Sequence, residues 1–309
     1  MRKIFIMMAV AAIALCAVSC TKEGVYKPGK QISKIVVYGA EGNPYPYETW
    51  HWNGNRLDSI VYDWTANRYA EKFTYDGKRL VASEYAQNHC NYFYEGNKLV
   101  KIVCESSDPM YTTNAEVFHF THTGKKITGI VHELDVLVEF KANPMAVSPL
   151  RTILPDCVCQ QIMNDEIRDI EMARKSGAKL EIKMTRHYTL TWEGDNVTKI
   201  ECVCPVEEVV NPASAFEQVI DLTYDNMHNP KQSLYGYYNI EVSSDNKCFS
   251  PNNILTSKSV TVYNGSGAIV EDITNDYVYD EDGYPIAYDY YKISGNNRLK
   301  SHFEIEYVK

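Results

Sequence analysis

Apolar and polar residues alternate along most of the chain with a period of two. In FTYDGKRLVAS (73–83) a paired aromatic face meets a polar turn, and an aliphatic run leaves it. The same phrase recurs at WHWNGNRLDSI (50–60), YFYEGNKLVKI (92–102), FHFTHTGKKITGI (118–130) and LTWEGDNVTKI (190–200). Alternation bounded by Gly-containing turns marks half-buried strands joined as hairpins. The Gly supplies the positive φ of a tight hairpin turn. Aromatics two residues apart share one strand face: Trp50/Trp52, Phe73/Tyr75, Tyr92/Tyr94, Phe118/Phe120 and, with one aliphatic, Leu190/Trp192. The outgoing strand raises a problem. Leu57, Leu80, Leu99, Ile127 and Val197 lie three residues before Ile60, Ser83, Ile102, Ile130 and Ile200. An odd offset puts such residues on opposite faces of a regular strand. Either the first aliphatic tucks under the turn, or both faces are partly covered. Successive glycines of the phrase lie 23, 19, 28 and 70 residues apart, too variable for a solenoid.

The pattern predicts strands over 32–38, 47–52, 57–64, 69–75, 80–86, 90–94, 99–105, 115–121, 127–133, 134–140, 179–192, 197–204, 216–224, 232–242, 258–264, 269–279, 286–293 and 299–308. Gly39, Gly42, Pro44 and Pro46 break the chain after the first strand. Three prolines in 143–156 forbid a central strand there. Residues 160–176 carry the helical spacing, with Ile162, Met163, Ile167, Ile170 and Met172 on a stripe and Gly177 as a stop. Strands do not alternate with helices, which argues against a parallel sheet. The expected fold is all-β: an antiparallel meander of hairpins forming a barrel-like or curved open sheet, with one short helix near 160–176. A barrel would remove the edges that an open sheet exposes.

The first residues change the picture. Arg2 and Lys3 precede twelve apolar residues, Ile4 to Leu15, and Ala17-Val18-Ser19 lead into Cys20. The apolar run is too short to span a bilayer, which takes ~20 residues, and reads as an export signal. Its end resembles a lipoprotein lipobox, with Ala17 where Leu is usual. The resemblance implies a signal peptide over 1–19, acylation of Cys20 and attachment to the outer membrane, on its periplasmic or surface face. Residues 20–30 read as a polar tether, and 31–309 as a single antiparallel β domain with a loop and helix excursion at 143–178.

Composition adds limits. The chain carries 31 Lys and Arg against 40 Asp and Glu, a net charge of −9. Removing 1–19 takes away two cations and no acid, so 29 − 40 gives −11. Such a surface does not suit nucleic acid. Tyrosine is abundant, 24 of 309 residues, which suits strands and amphipathic contact faces. Beyond Cys20 the mature chain has Cys90, Cys104, Cys157, Cys159, Cys202, Cys204 and Cys248. Their odd number prevents complete internal pairing. Cys104 shares the face of Ile102, and Cys202 and Cys204 that of Ile200, as core thiols would. One or more disulfides is the other reading. The C-x-C pairs lack the C-x₂₋₄-C spacing of zinc sites, so no metal or other cofactor is expected.

The phrase, with HNP (228–230), SPNN (250–253) and YDEDGYP (279–285) behind a lipobox, resembles the YD-repeat-like lipoproteins of Gram-negative gut commensals. That domain-of-unknown-function family is described as having a porin-like fold. The resemblance implies a barrel and supplies no catalytic residues. It does not require a pore: Lys101, Glu105, Lys199 and Glu201 interrupt strands that would need one apolar lipid-facing side.

No nucleophile elbow, P-loop, dinucleotide fingerprint or zincin helix is present. Asp280–Gly283 starts like a calcium loop, lacks its closing Glu, and reads as a hairpin turn. His119 and His122 fall on opposite strand faces, against a metal pair. The aromatic stretch around Tyr45, Tyr47, Trp50 and Trp52, with Trp64 nearby, is the candidate ligand-binding site, because exposed rings stack on sugars and grip peptides. The expected function is non-enzymatic binding of a glycan or peptide by a lipid-anchored envelope protein. The alternatives are an assembly partner for another envelope protein and, less favoured, a glycoside hydrolase with paired carboxylates.

Overall fold

A computed structural model describes residues 23–38, 42–63, 69–107, 111–139, 179–236, 248–265 and 267–309. The leader, Cys20, Trp64, the 160–176 helix, Cys157 and Cys159 lie outside them. The described residues form β1 (Ile32–Tyr38), β2 (Pro44–Asn53), β3 (Arg56–Tyr62), β4 (Tyr69–Asp76), β5 (Arg79–Tyr85), β6 (Asn88–Glu95), β7 (Lys98–Ser106) and β8 (Tyr111–Thr123). They continue as β9 (Lys126–Glu139), β10 (Lys179–Glu193), β11 (Asn196–Cys204), β12 (Phe216–Tyr224), β13 (Ile254–Tyr263), β14 (Ala268–Tyr279), β15 (Pro285–Ser294) and β16 (Asn297–Tyr307). Each strand pairs with the next, and β1 closes on β16 with Ile35 opposite Ile305. The all-β antiparallel meander is therefore a closed barrel rather than an open sheet.

Three strand expectations need correction. The runs 127–133 and 134–140 are one strand, β9, because β8 and β10 flank it along its length. Residues 232–236, where the strand expected over 232–242 would begin, form a turn and a loop. Pro44 and Pro46, expected to break the chain, lie in β2. They pair with β1 alone, and β2 meets β3 only from Glu48 onward, so neither proline has to donate to a second neighbour.

The odd offset in the phrase has a single cause. Every phrase hairpin carries a register shift at the residue just after its first aliphatic. Trp52 faces Leu57, but His51 faces Ser59, so Asp58 is extra. Val81, Val100, Thr128 and Thr198 are extra in the other four. A bulge adds one residue and restores the parity. Leu57 and Ile60 are thus both buried, as are Leu99 with Ile102 and Val197 with Ile200. Each such side chain contributes roughly 1.5–3 kcal/mol on burial, and a regular strand would turn one of each pair to water. The pairing also corrects the alignment of the fourth phrase. Phe120 and His122 take the ring positions beside Ile130 and Ile127, while Phe118 pairs with His132. Gly96 sits at φ +58 and Gly194 at φ +56, as their turns require.

The ring nearest each turn stitches one hairpin to the previous one. Tyr94 Oη donates to the Leu80 carbonyl at 2.8 Å, Trp192 Nε1 to that of Ile127 at 2.7 Å, and Tyr224 Oη to that of Val197 at 2.7 Å. Trp52 reaches Ile32 and Tyr307 reaches Pro285 in the same way, at 2.6 and 2.8 Å. At two of these stitches a basic residue just before the accepting carbonyl covers the same ring, and Arg56 covers Tyr75 likewise. Arg79 lies 4.5 Å above Tyr94, Lys126 5.2 Å above Trp192, and Arg56 5.5 Å above Tyr75. His122 instead contacts Glu23 at 3.1 Å, and Tyr279 donates to Asp225.

Alternation of burial shows which face is inside. Ile102 and Ile200 are buried, so Lys101, Glu105, Lys199 and Glu201 stand on the outer wall. Lys72, Glu84, Lys183 and Lys258 stand there too. A lipid-spanning barrel needs an outer apolar band ~25 Å tall; this barrel has charges where that band would lie and its apolar core inside.

All five phrase turns lie at one end of the barrel, here the turn end, with the β12–β13 and β14–β15 connections and the chain before β1. Residues 23–30, expected as a free tether, are docked there. Glu23 N donates to Asn97 O at 3.0 Å, and the Leu80 amide donates to Gly24 O at 2.8 Å. Tyr26 is buried and donates to Pro230 O at 2.6 Å. From the other side, Leu234, Tyr235, Cys248 and Phe249 join the core cluster.

Cys90 and Cys104, opposite one another on β6 and β7, form a disulfide; Cys202 and Cys204 are buried free thiols, and Cys248 is buried. Two outcomes follow. Tyr94→Phe leaves a carbonyl at the turn end without its donor and should lower unfolding stability by about 1–2 kcal/mol in denaturant titration; a change below ~0.3 kcal/mol would show the stitch to be ornamental. Replacing both Cys90 and Cys104 by Ala should cost roughly 3 kcal/mol, the chain-entropy value for a loop of this size.

Candidate functional site

The aromatic stretch on β2 is largely consumed by the barrel. Trp50 is only 4% exposed, and its indole donates to Glu48 Oε2 at 2.9 Å. Trp52 is held by the Ile32 carbonyl and stacks on Tyr26 at 5.9 Å. Tyr47 meets Phe303 edge-on at 5.4 Å. Tyr45, at 44% exposure, presents its ring to solvent. The stretch therefore supplies one open ring and not a stacking platform.

The three motifs beside the phrase converge at the turn end. Asn229 Nδ2 donates to Ser250 O at 2.8 Å, and Asn229 N to Pro251 O at 2.8 Å. Asn253 Nδ2 donates to Asp225 Oδ2 and to His228 O, both at 3.1 Å. His228 N donates to Gly283 O at 3.0 Å, and its ring stacks on Tyr284 at 4.7 Å. Asp280 and Asp282 clamp Lys30 at 2.7 and 2.6 Å, so the calcium-like stretch is a hairpin turn with its acids engaged. Lys231 reaches inward to Glu48 at 2.8 Å. A Cβ at Gly236 would lie 2.9 Å from each carboxylate oxygen of Glu71, so the 231–236 loop passes close over that carboxylate. HNP, SPNN and YDEDGYP thus build the lid of the turn end.

The opposite half of the interior differs in chemistry. Glu116, His132 and Arg186 are buried on the inner face of β8, β9 and β10. His132 faces Phe118 across one strand pair and Arg186 across the next, and its ring stacks on Phe118 at 4.1 Å. Arg186 Nη2 lies 3.2 Å from Met184 Sδ, and its guanidinium 5.8 Å from the Phe216 ring. One level on, Tyr188, Cys202, Gln218 and Thr261 stand side by side across β10 to β13. Gln218 Nε2 donates to Ser259 Oγ at 3.1 Å and to Thr261 Oγ1 at 2.9 Å. Ser259 is buried one step nearer the turn end; Ser257 and Asn275 are buried nearer it still, where Asn275 Nδ2 donates to the Ile254 carbonyl at 2.9 Å, and Lys292 meets Glu271 at 3.0 Å toward the other rim. Among the described residues His132 Nε2, Ser257 Oγ and Asn275 Oδ1 have no hydrogen-bond partner. Buried polar atoms are nearly always paired; these exceptions stand apart, His132 on β9 and Ser257 and Asn275 on β13 and β14 nearer the turn end.

Burial governs the electrostatics. It pushes the Glu116 carboxyl up to about 7, against the opposing pull of Arg186. Burial, then Arg186, depresses His132, favouring neutral imidazole. Burial pushes the Cys202 thiol up to about 12. A thiol so raised is protonated at neutral pH and a poor nucleophile. The layer offers a fixed cation, a titrating acid and neutral hydrogen-bonding groups, which suits recognition rather than nucleophilic chemistry.

Sequence reading missed this wall. Its signal was present in ILTSKSVTVY (254–263), where Ser257, Ser259 and Thr261 hold alternate positions of a buried face.

Glu116 carries a pH signature. Its folded-state pKa lies above the unfolded value, so the folded state keeps a proton that the unfolded chain has lost. Stability from this group therefore falls as pH rises from about 4.5 to about 7. Thermal unfolding scans across that window should show the decline, and Glu116→Gln should flatten it. An unchanged slope in the variant would assign the dependence to another group.

No protein-family model matches the chain, and no curated protein matches it. Among solved structures it is similar to a porin-like protein from Bacteroides vulgatus ATCC 8482, with a TM-score of 0.44 and 9% identity over 90% of this chain and 99% of that one. It is also similar to a porin-like protein from Bacteroides uniformis ATCC 8492, with a TM-score of 0.34 and 11% identity over 90% of this chain and 98% of that one.

Proposed function

We propose that this chain is a non-enzymatic binding protein of the cell envelope, anchored by a lipid on Cys20, that takes a glycan or peptide against the polar inner wall of its barrel. Unpartnered polar atoms spread over the inner face, His132 Nε2 on β9 and Ser257 Oγ and Asn275 Oδ1 on β13 and β14, support the proposal. A hydroxyl- or amide-rich ligand supplies the donors and acceptors they lack, and leaving such groups unmet costs ~1–3 kcal/mol each. Gln218, Thr261 and Asn275 offer further polar contacts, and Arg186 selects for an electron-rich group. The envelope address is supported by the 1–20 stretch and by the Cys90–Cys104 disulfide, a bond that persists in oxidising compartments. The charged outer wall supports a barrel in water rather than a pore in lipid.

A second reading, an assembly partner in the envelope, has one observation in its favour. Val262, Val270 and Ile293 are exposed near one rim of the outer wall. Such a patch fits a protein partner, although it leaves the inner wall unexplained.

The test uses the Cys20→Ala chain on glycan and peptide arrays, followed by calorimetry with any hit. Gln218→Ala and Thr261→Val should each weaken binding by about tenfold, near 1.4 kcal/mol, with little change in melting temperature. Binding that survives both substitutions and is lost in Tyr45→Ala would move the site to β2. Silence on both arrays, with another envelope protein co-purifying through the Val262 patch, would favour the assembly reading.

A further inference from the structure

The turn end and the level of Gln218 and Thr261 lie at opposite ends of the barrel. β12 runs from Phe216 to Tyr224, with Gln218 near its start and Tyr224 at the turn end. β13 returns with Thr261 near its close. The chain enters at the turn end, and how firmly it is held there fixes how the barrel can sit.

Glu23 is that hold. Its Oε2 accepts from the Leu99 amide at 2.5 Å, both carboxylate oxygens lie 3.1 Å from His122 Nε2, and its own amide donates to Asn97 O at 3.0 Å. The next residue is confined as well, because a Cβ on Gly24 would lie 2.0 Å from Tyr94 Oη. Residue 23 is therefore a fixed point on the turn end. Cys20 precedes it by three residues, and three residues span at most about 11 Å at ~3.6 Å each. The expected ten-residue tether is shortened to this reach.

We infer that the barrel stands on the lipid surface by its turn end, with the end that carries Gln218 and Thr261 directed away from the membrane. The inference rests on lipidation of Cys20. The turn end is suited to headgroups. Arg56, Lys78, Lys98 and Lys125 follow four of the phrase glycines and are exposed on a chain of net charge −9. Asp76 and Glu95 precede two of the same glycines, so the rim is mixed, and the short anchor rather than charge sets the orientation. Glu23 and His122 act here as positioning residues: they fix where the anchor leaves the barrel.

The experiment uses the full lipidated chain in phosphatidylethanolamine vesicles carrying a short-range nitroxide quencher on the headgroup. A fluorophore is placed at Lys78→Cys or Lys125→Cys on the turn end, and at Asn296→Cys in the β15–β16 turn at the other. The turn-end probes should lose most of their emission and the Asn296→Cys probe almost none. Equal quenching at both ends, or stronger quenching at Asn296→Cys, overturns the orientation while leaving the anchor intact. The anchor reading is tested separately by vesicle flotation: Cys20→Ala should release the protein, and retention of that variant would overturn the lipidation on which the inference rests. Glu23→Ala should keep the protein on the vesicles and even out quenching between the ends; unchanged contrast would show that Glu23 does not position the anchor.

Discussion

The hydrogen bond from a ring at the end of one strand to a carbonyl at the start of the previous strand holds this barrel's turn end together. A meander of hairpins has strong bonds within each hairpin and a weaker seam between hairpins where turns splay apart. Here the seam is closed from inside. Tyr94, Trp192, Tyr224, Trp52 and Tyr307 reach back to Leu80, Ile127, Val197, Ile32 and Pro285. A Tyr or Trp serves because its body is apolar enough for the core while its tip donates. At Tyr94 and Trp192 the basic residue beside the accepting carbonyl then covers the ring, adding roughly 0.5–1 kcal/mol at an exposed site. The repeated phrase is the sequence form of this contact between neighbouring hairpins.

The bulge is the second constraint. Without Asp58, Val81 and their equivalents, the aliphatic after each turn would sit on the wrong wall. Bulges also increase local twist, which helps a sheet curl toward closure. The same inserted residue therefore serves both packing and curvature. With both aliphatics turned inward, the outer wall is left to Lys, Glu and Thr, and the barrel becomes apolar inside and charged outside.

Much of the fold was legible because turn chemistry and period-two alternation are local. The glycine turns, nearly all strand positions and the antiparallel order follow from them. Closure was not legible, because pairing of Ile35 with Ile305 joins positions at the two ends of the domain. The bulge announced itself only as an unexplained odd offset. Pro44 and Pro46 misled because a strand bordered on one side tolerates what a central strand does not. The site was less legible still. Trp50 and Trp52 look like ligand rings in sequence, yet Glu48, Ile32 and Tyr26 occupy them. The polar wall hid among Ser and Thr residues that, read one strand at a time, look like solvent positions.

The two halves of the interior divide the work. At the turn end, polar groups are buried in matched sets: Lys231 with Glu48, and Asn253 with Asp225 and the His228 carbonyl. Matched groups hold the lid in a single arrangement because each has its partner nearby. At the other end, Arg186 carries a buried charge beside a Glu116 that burial drives toward neutrality. Arg186 stands beside Tyr188, Cys202 and Met184, and Phe216 lies against its guanidinium. Gln218 lies one level on, with Ser259 and Thr261 as its partners. Stability is concentrated where the chain enters, and chemical variety where the barrel faces away from that entry.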